Sequence, residues 1–352
     1  MFGLRAVKRQ EPTRSSAYVI FAGAIVFSLA VSAALLAVQG KPALHGISLI
    51  WDGAFAHGYA LEDTILKAIP IFLCSLGVGV AFRMQVWNIG AEGQFVLGAV
   101  GATWVALTFP GLPAWAMLPA MFAAAAVTGG VWALIPALLK LRLRVNEIIS
   151  TLMLNYIGIL LMQYFVYGVW KDPVGFGFPM TPQFADAAVV GPLFGQVHWG
   201  LVLCAVVALA LWVFLHRTRL GFELQAGGEG PRAARYAHMP YGFLVMLVMG
   251  LCGALAGWAG CLEASATLGR LQPSIIAGYG YTAIVVAWLA RLRISSIAVF
   301  SILLAGFRVG VENLQLELQV PAAFGGIMEG SILLSVLAGQ FFQGYAIRRR
   351  KD

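Results

Sequence analysis

Long apolar stretches follow one another along this chain from residue 17 to residue 346, with basic residues gathered at alternate breaks between them. No Asp, Glu, Lys or Arg occurs in Gly93–Leu139 (47 residues), Ile148–Trp170 (23), Ala187–His216 (30) or Tyr236–Leu262 (27). A helix crosses the hydrocarbon layer of a membrane with about 20 apolar residues. These windows therefore hold one span each, or two in the longest case, which Pro110-Gly111-Leu112-Pro113 divides with a turn. Lipid offers no partner to backbone N–H and C=O groups, so the spans must be helical. The pattern predicts spans over 17–38, 64–82, 88–109, 114–138, 146–170, 199–216, 241–262, 273–290, 294–311 and 325–346.

Composition and charge sharpen this picture. Of 352 residues, 60% are hydrophobic and 11% charged; globular domains carry roughly a quarter charged residues. There is too little charge here to coat a soluble core. If the N-terminus is cytoplasmic, 18 of the 23 Lys and Arg fall on the cytoplasmic side, leaving Lys41, Lys67, Lys171, Arg270 and Arg308 outside or within a span. The expected fold is all-α: an integral membrane protein with about ten transmembrane helices and both termini cytoplasmic. Residues 1–16 and 347–352 are cytoplasmic tails, 217–240 a cytoplasmic loop and 171–198 an external loop bracketed by Trp170 and Trp199. Tyr18–Val38 is too long for a signal-peptide core. The net charge of +8 sits at span ends rather than in an aromatic-interleaved patch, which excludes nucleic acid as a partner and leaves membrane lipid. Cys74, Cys204, Cys252 and Cys261 lie in apolar runs without metal-ligand spacing.

Polar side chains inside this apolar chain are the candidate chemistry, because such groups at membrane depth face other protein or a water-lined cavity. Asn88-Ile89-Gly90-Ala91-Glu92-Gly93-Gln94 opens the third span, with Asn88 placed as N-cap and Glu92 suited to the helix dipole. Asn88, Glu92 and Gln94 fit a substrate pathway; they equally fit capping and a pairing of Glu92 with Arg83. Glu147, Thr151, Asn155 and Gly158 share one helical face of the fifth span. That face fits lining of a pathway and fits hydrogen bonding between helices. In the loop, Gly227-Gly228-Glu229-Gly230-Pro231-Arg232-Ala233-Ala234-Arg235-Tyr236-Ala237 predicts a short basic helix starting at Pro231, suited to docking into another protein or lying as a solvated loop. Gly250, Gly253, Gly257 and Gly260, and again Gly326 and Gly330, follow close-packing helix spacing. Glu263 sits at a span edge and Glu329 inside the last span, each expected to be satisfied by a pairing.

No Gly-x-x-x-x-Gly-Lys-Ser/Thr phosphate loop, Ser/His/Asp set or His-Glu-x-x-His metal motif occurs, so the sequence holds no nucleotide-hydrolysing or metalloenzyme signature. A secondary transporter using Glu92, Glu147 or Glu263 as proton site is the rival of a different class. It would need paired intramembrane carboxylates and bases, and those are absent.

Three of these segments, Asn88–Gln94 (NIGAEGQ), Asn146–Tyr156 (NEIISTLMLNY) and Pro231–Ala237 (PRAARYA), resemble the signatures of permeases of ATP-binding-cassette importers, in the simple-sugar/nucleoside branch; Gly278–Thr282 adds to the likeness. The resemblance covers roughly residues 60–345 and implies a permease subunit moving a nucleoside or related base, or a monosaccharide, across a bacterial inner membrane. It implies a second permease subunit, usually a shorter paralogue, two ATPase subunits and an extracytoplasmic substrate-binding protein. The chain itself then needs no cofactor, ATP and Mg being held by the ATPase. Glu229, Pro231, Arg232, Arg235 and Tyr236 become the ATPase-coupling residues. The branch ordinarily has Asn where Gly230 stands and Gly where His238 stands.

Overall fold

The computed structural model describes residues 4–8, 17–175, 177–230, 234, 236–321 and 323–349. In chain order its elements are β1 (Leu4–Lys8), α1 (Ala17–Val38), α2 (Ala43–Trp51), α3 (Gly58–Arg83), α4 (Ala91–Thr108), α5 (Ala114–Leu143), α6 (Glu147–Tyr164), β2 (Pro192–Phe194), β3 (Val197–His198), α7 (Gly200–Arg217) and α8 (Arg219–Glu229). They continue with α9 (Tyr241–Leu262), α10 (Tyr279–Leu289), α11 (Ile294–Leu318), α12 (Ala323–Gly344) and β4 (Tyr345–Arg349). Single π-turns prolong α2, α6 and α9.

Each stretch expected to span therefore contains a helix. Among the described residues, six helical runs are long and apolar enough to cross a membrane: Gly58–Arg83, Ala114–Leu143, Glu147–Val169, Gly200–Arg217, Tyr241–Leu268 and Ile294–Leu318. The protein is an all-α, multi-pass membrane protein. Three features depart from the expectation. Helix α2 had no counterpart, since its nine residues are too few to register as a span. Helix α8 fills the first half of the loop 217–240. Near the two ends, β1 and β4 pair antiparallel from Leu4 opposite Arg349 to Lys8 opposite Tyr345, strands that no expected span contained.

The chain divides into two units. One holds residues 1–64 and 306–352. In it the Ser28 hydroxyl meets Ser331 Oγ at 2.6 Å and the Met328 carbonyl at 3.1 Å, joining α1 to α12. Asn313 donates to the Leu49 carbonyl at 2.9 Å, tying α11 to α2. Gly326 and Gly330 face open space, so the close approach expected of them is not made among the described residues.

The other unit, residues 65–305, is built around α4. Fifteen of its residues are buried, enclosed by α5, α6 and α9. The helices meet backbone to backbone: a Cβ on Gly98 would overlap the Gly257 backbone, and one on Gly260 would overlap the Phe95 carbonyl. Small residues permit this approach, and dispersion across it holds helices together where lipid removes the hydrophobic driving force. The glycine stripe of α9 is thus used inside this chain. By contrast α5, α6 and α7 leave most of their surface exposed, as lipid- or partner-facing helices must.

Candidate functional site

The site forms where chain enters α4. Between α3 and α4 the backbone leaves helix through Gln85, at φ +56°, and needs partners for its exposed N–H and C=O groups. Asn88, completely buried, does not cap the helix, as the sequence suggested; the N-cap is Gly90. Instead Asn88 Oδ1 accepts the Gly90 N–H at 2.9 Å, and its amide pairs reciprocally with that of Gln94, at 3.0 and 3.1 Å. Its Nδ2 also reaches Cys252 Sγ on α9 at 3.0 Å.

The polar face of α6 closes on the same turn. Thr151 Oγ1 accepts the Ile89 N–H at 3.2 Å. Asn155 accepts the Gly93 N–H at 2.8 Å and donates to the Ile89 carbonyl at 2.8 Å and to the Tyr281 hydroxyl at 3.3 Å. Asn155 thereby caps α4 from a neighbouring helix. These side chains hydrogen-bond between helices, one of the two roles their spacing allowed. Glu147 stands apart from them, at the start of α6 in an ion pair with Lys140.

Glu92 connects α4 to a remote part of the chain. After α9 the chain passes a π-turn (Glu263–Leu268), a left-handed Gly269 and a 3-10 turn (Pro273–Ile275) before α10 begins at Tyr279. Glu92 Oε1 accepts the Gly278 N–H at 2.9 Å, and Oε2 accepts the Gly280 N–H at 2.7 Å. One buried carboxylate thus serves the first turns of two helices, its own α4 and α10. Both present positive dipole ends and N–H groups without intrahelical partners. Gly278 is needed for its φ of +80°, and Gly280 because an added Cβ would overlap the Glu92 backbone. The pairing of Glu92 with Arg83 is replaced: Arg83 donates to the Leu292 carbonyl at 2.7 Å. Tyr281, Gly278, Gly280 and Cys252 are partners that sequence reasoning did not assign. The Gly-Tyr-Gly ahead of an apolar run was the available signal for α10.

The connection between α6 and α7 carries β2 and β3. Its backbone lies against residues 265–271, with Thr181 N–H to the Leu271 carbonyl at 3.0 Å, Phe184 N–H to Gly269 at 2.9 Å and Ser265 Oγ to Ala188 at 2.5 Å. At its end, buried His198 accepts the Gly200 N–H through Nδ1 at 3.0 Å, capping α7. Burial lowers the pKa of His198 to about 4. Glu263, expected to be paired, accepts the Thr267 hydroxyl at 3.4 Å.

On the loop between α7 and α9, α8 starts at Thr218, whose hydroxyl accepts the Gly221 N–H at 3.1 Å. Gly228 packs against the Arg83 carbonyl so closely that a Cβ would overlap it. Helix thus precedes Pro231, where the sequence suggested that helix begins. Glu229 accepts from Gln225 at 3.1 Å. Pro231, Arg232 and Arg235 lie outside the described residues. Ala234 is buried and donates to the Gly230 carbonyl at 2.9 Å, and Tyr236 is 88% exposed.

Comparison with known proteins supplies the remaining facts. A family model described as "Branched-chain amino acid transport system / permease component" matches residues 60–337. The glucose ABC transporter permease protein TsgB13 of Haloferax volcanii is 33% identical over 335 residues, covering 92% of this chain and 88% of that protein. The guanosine ABC transporter permease protein NupP of Bacillus subtilis is 32% identical over 339 residues, covering 92% and 93%. A second guanosine permease of that bacterium, NupQ, is 27% identical over 229 residues, covering 63% and 72%.

Proposed function

We propose, from the premise that this chain belongs to the family of branched-chain amino acid transport system permease components, that it imports a nucleoside or related base as the membrane subunit of an ATP-driven transporter. The observation that carries this reading is the near end-to-end match to the guanosine permease NupP. The chain is a membrane transport subunit rather than an enzyme, and the energy comes from ATP hydrolysed by separate subunits.

Ten crossings of a bacterial inner membrane with both termini cytoplasmic complete the topology; the bias of Lys and Arg supports it. A second, paralogous permease completes the pathway, a reading supported by the paired NupP and NupQ of one organism. Two ATPases dock on the cytoplasmic side and a substrate-binding protein outside. In this arrangement the segment 217–240 receives the motion of the ATPases through Glu229, Pro231, Arg232, Arg235 and Tyr236. The contact of α8 with the end of α3 passes that motion toward α4. Asn88, Glu92, Gln94, Thr151 and Asn155 brace the helix starts beside the pathway, and Glu147 holds the entry to α6. Broken helices whose N-termini converge are how transporters place fixed partial charges at mid-membrane.

Reconstitution of the chain with its permease partner and ATPase, with Arg232 and Arg235 replaced by Glu, tests the coupling role. Substrate-stimulated ATP turnover should fall sharply; undiminished turnover rejects it. The identity with TsgB13 favours a second reading, a monosaccharide cargo. Uptake of labelled guanosine and glucose by cells with and without the gene decides between them.

A further inference from the structure

A groove runs along one side of the unit formed by residues 65–305, between α7 on one wall and α3 with α11 on the other. Its deeper part, about 410 Å³, is lined by Ile65, Phe72, Leu201, Ala205, Ala298 and Ile302. Its outer part, about 520 Å³, lies where α3 and α7 end and α11 begins, and is lined by Arg83, Trp212, His216, Arg293 and Ser295. Ala208 lines both parts, so the two adjoin at that residue.

The two parts differ in chemistry. The deep part is apolar apart from the Cys204 thiol and Ser301, which is 1% exposed and whose hydroxyl has no hydrogen-bond partner among the described residues. An unpaired hydroxyl in so apolar a setting is costly, and it lies about 9 Å along α11 from Ser295 at 1.5 Å per residue. The outer part gathers two guanidinium groups and an imidazole, with no carboxylate among its lining residues. Arg83 is half-buried and held in place by its bond to the Leu292 carbonyl, in a turn where Arg291 and Leu292 both adopt positive φ. Trp212 stacks on His216 with ring centroids 5.6 Å apart, an aromatic pair of the kind found at membrane interfaces.

We propose that this groove is a binding site for an anionic phospholipid. The headgroup phosphate sits between Arg83 and Arg293, and one acyl chain lies against Ala205 and Ala298. Charge complementarity selects this occupant: an apolar groove alone would take any acyl chain, and a basic pocket alone any phosphate. Basic pockets between membrane helices bind anionic headgroups in this way.

Native mass spectrometry of the purified full chain, titrated with phosphatidylglycerol or phosphatidylcholine, tests the proposal. The wild-type chain should retain phosphatidylglycerol at least about fivefold better than phosphatidylcholine. R293Q, at an exposed residue that is not required for packing, should remove about fivefold of that preference. A205F, which fills the apolar part from an exposed position, should lose both lipids, with an unchanged melting temperature as the folding control. Equal retention of the two lipids overturns the proposal. Unchanged phosphatidylglycerol retention in R293Q and A205F does so too, and so does a cysteine at position 205 that cross-links to a helix of another protein with lipid excluded.

Discussion

Glu92 receives at its Oε2 the backbone N–H of Gly280, 188 residues further along the chain, at 2.7 Å. That bond, with its companion from Gly278 at 2.9 Å, fixes the start of α10 against the start of α4. A carboxylate is the right group: both oxygens accept, and the negative charge lies between two helix N-termini.

Replacing Glu92 by Gln preserves shape but turns one acceptor into an NH₂ group facing an N–H. The loss should be about 2–3 kcal/mol, the range for a hydrogen bond to a charged group and a donor left unsatisfied. Thermal unfolding of the detergent-purified chain should shift downward accordingly, and transport with it. An E92Q protein that melts like wild type would refute the role of this clamp.

The two glycines should respond unequally. Gly278→Ala meets open space but must adopt φ +80°, a strain of about 1–2 kcal/mol. Gly280→Ala carries no such strain in φ but must push α10 off the Glu92 backbone, which the added Cβ would overlap, and overpacking of this kind costs about 1–3 kcal/mol or more. Folded yield and melting temperature should rank wild type above G278A and G278A above G280A. The reverse order of the two variants contradicts the packing described.

His238 occupies an exposed left-handed position at φ +54°. A non-glycine residue there is strained by about 1–2 kcal/mol, while glycine's greater freedom when unfolded offsets about 0.4–1 kcal/mol. H238G should therefore be neutral or more stable by up to about 1 kcal/mol, with H238A below it. Denaturation midpoints of the three proteins compare them directly; H238A above H238G would show that backbone strain is not the deciding factor.

Acid should weaken the cap on α7. Burial lowers the His198 pKa to about 4, against about 6.5 unfolded. Between these values the unfolded chain binds the extra proton, so stability is whole above about pH 6.5 and declines as pH falls toward 4. The decline is bounded at roughly 3 kcal/mol. H198N keeps an acceptor for Gly200 without the titration, and its melting temperature should vary less across that window. Parallel pH profiles for the two proteins would exclude His198 as the cause.

Helix positions, the glycine stripe of α9 and the polar face of α6 were readable from sequence because each is a local periodicity. Hydropathy over about 20 residues and a repeat of 3.6 need no knowledge of the neighbours. Short elements escaped that reading. Nothing in Ala43–Trp51 or Arg219–Glu229 is long enough and apolar enough to mark a span; the first is tied to α11 by Asn313 and the second starts at the Thr218 cap.

What tertiary structure alone decided was the choice of partner. Sequence placed Glu92 in a first turn but offered Arg83 as its mate. Folding brings the N–H groups of Gly278 and Gly280 to it instead, because only the assembled bundle sets which remote helix start comes within hydrogen-bonding reach. Asn88 likewise looked like a cap and became half of an amide pair with Gln94. The sequence by itself determined that these polar groups had to be satisfied within a greasy chain; the close approach of glycine-faced helices determined by whom.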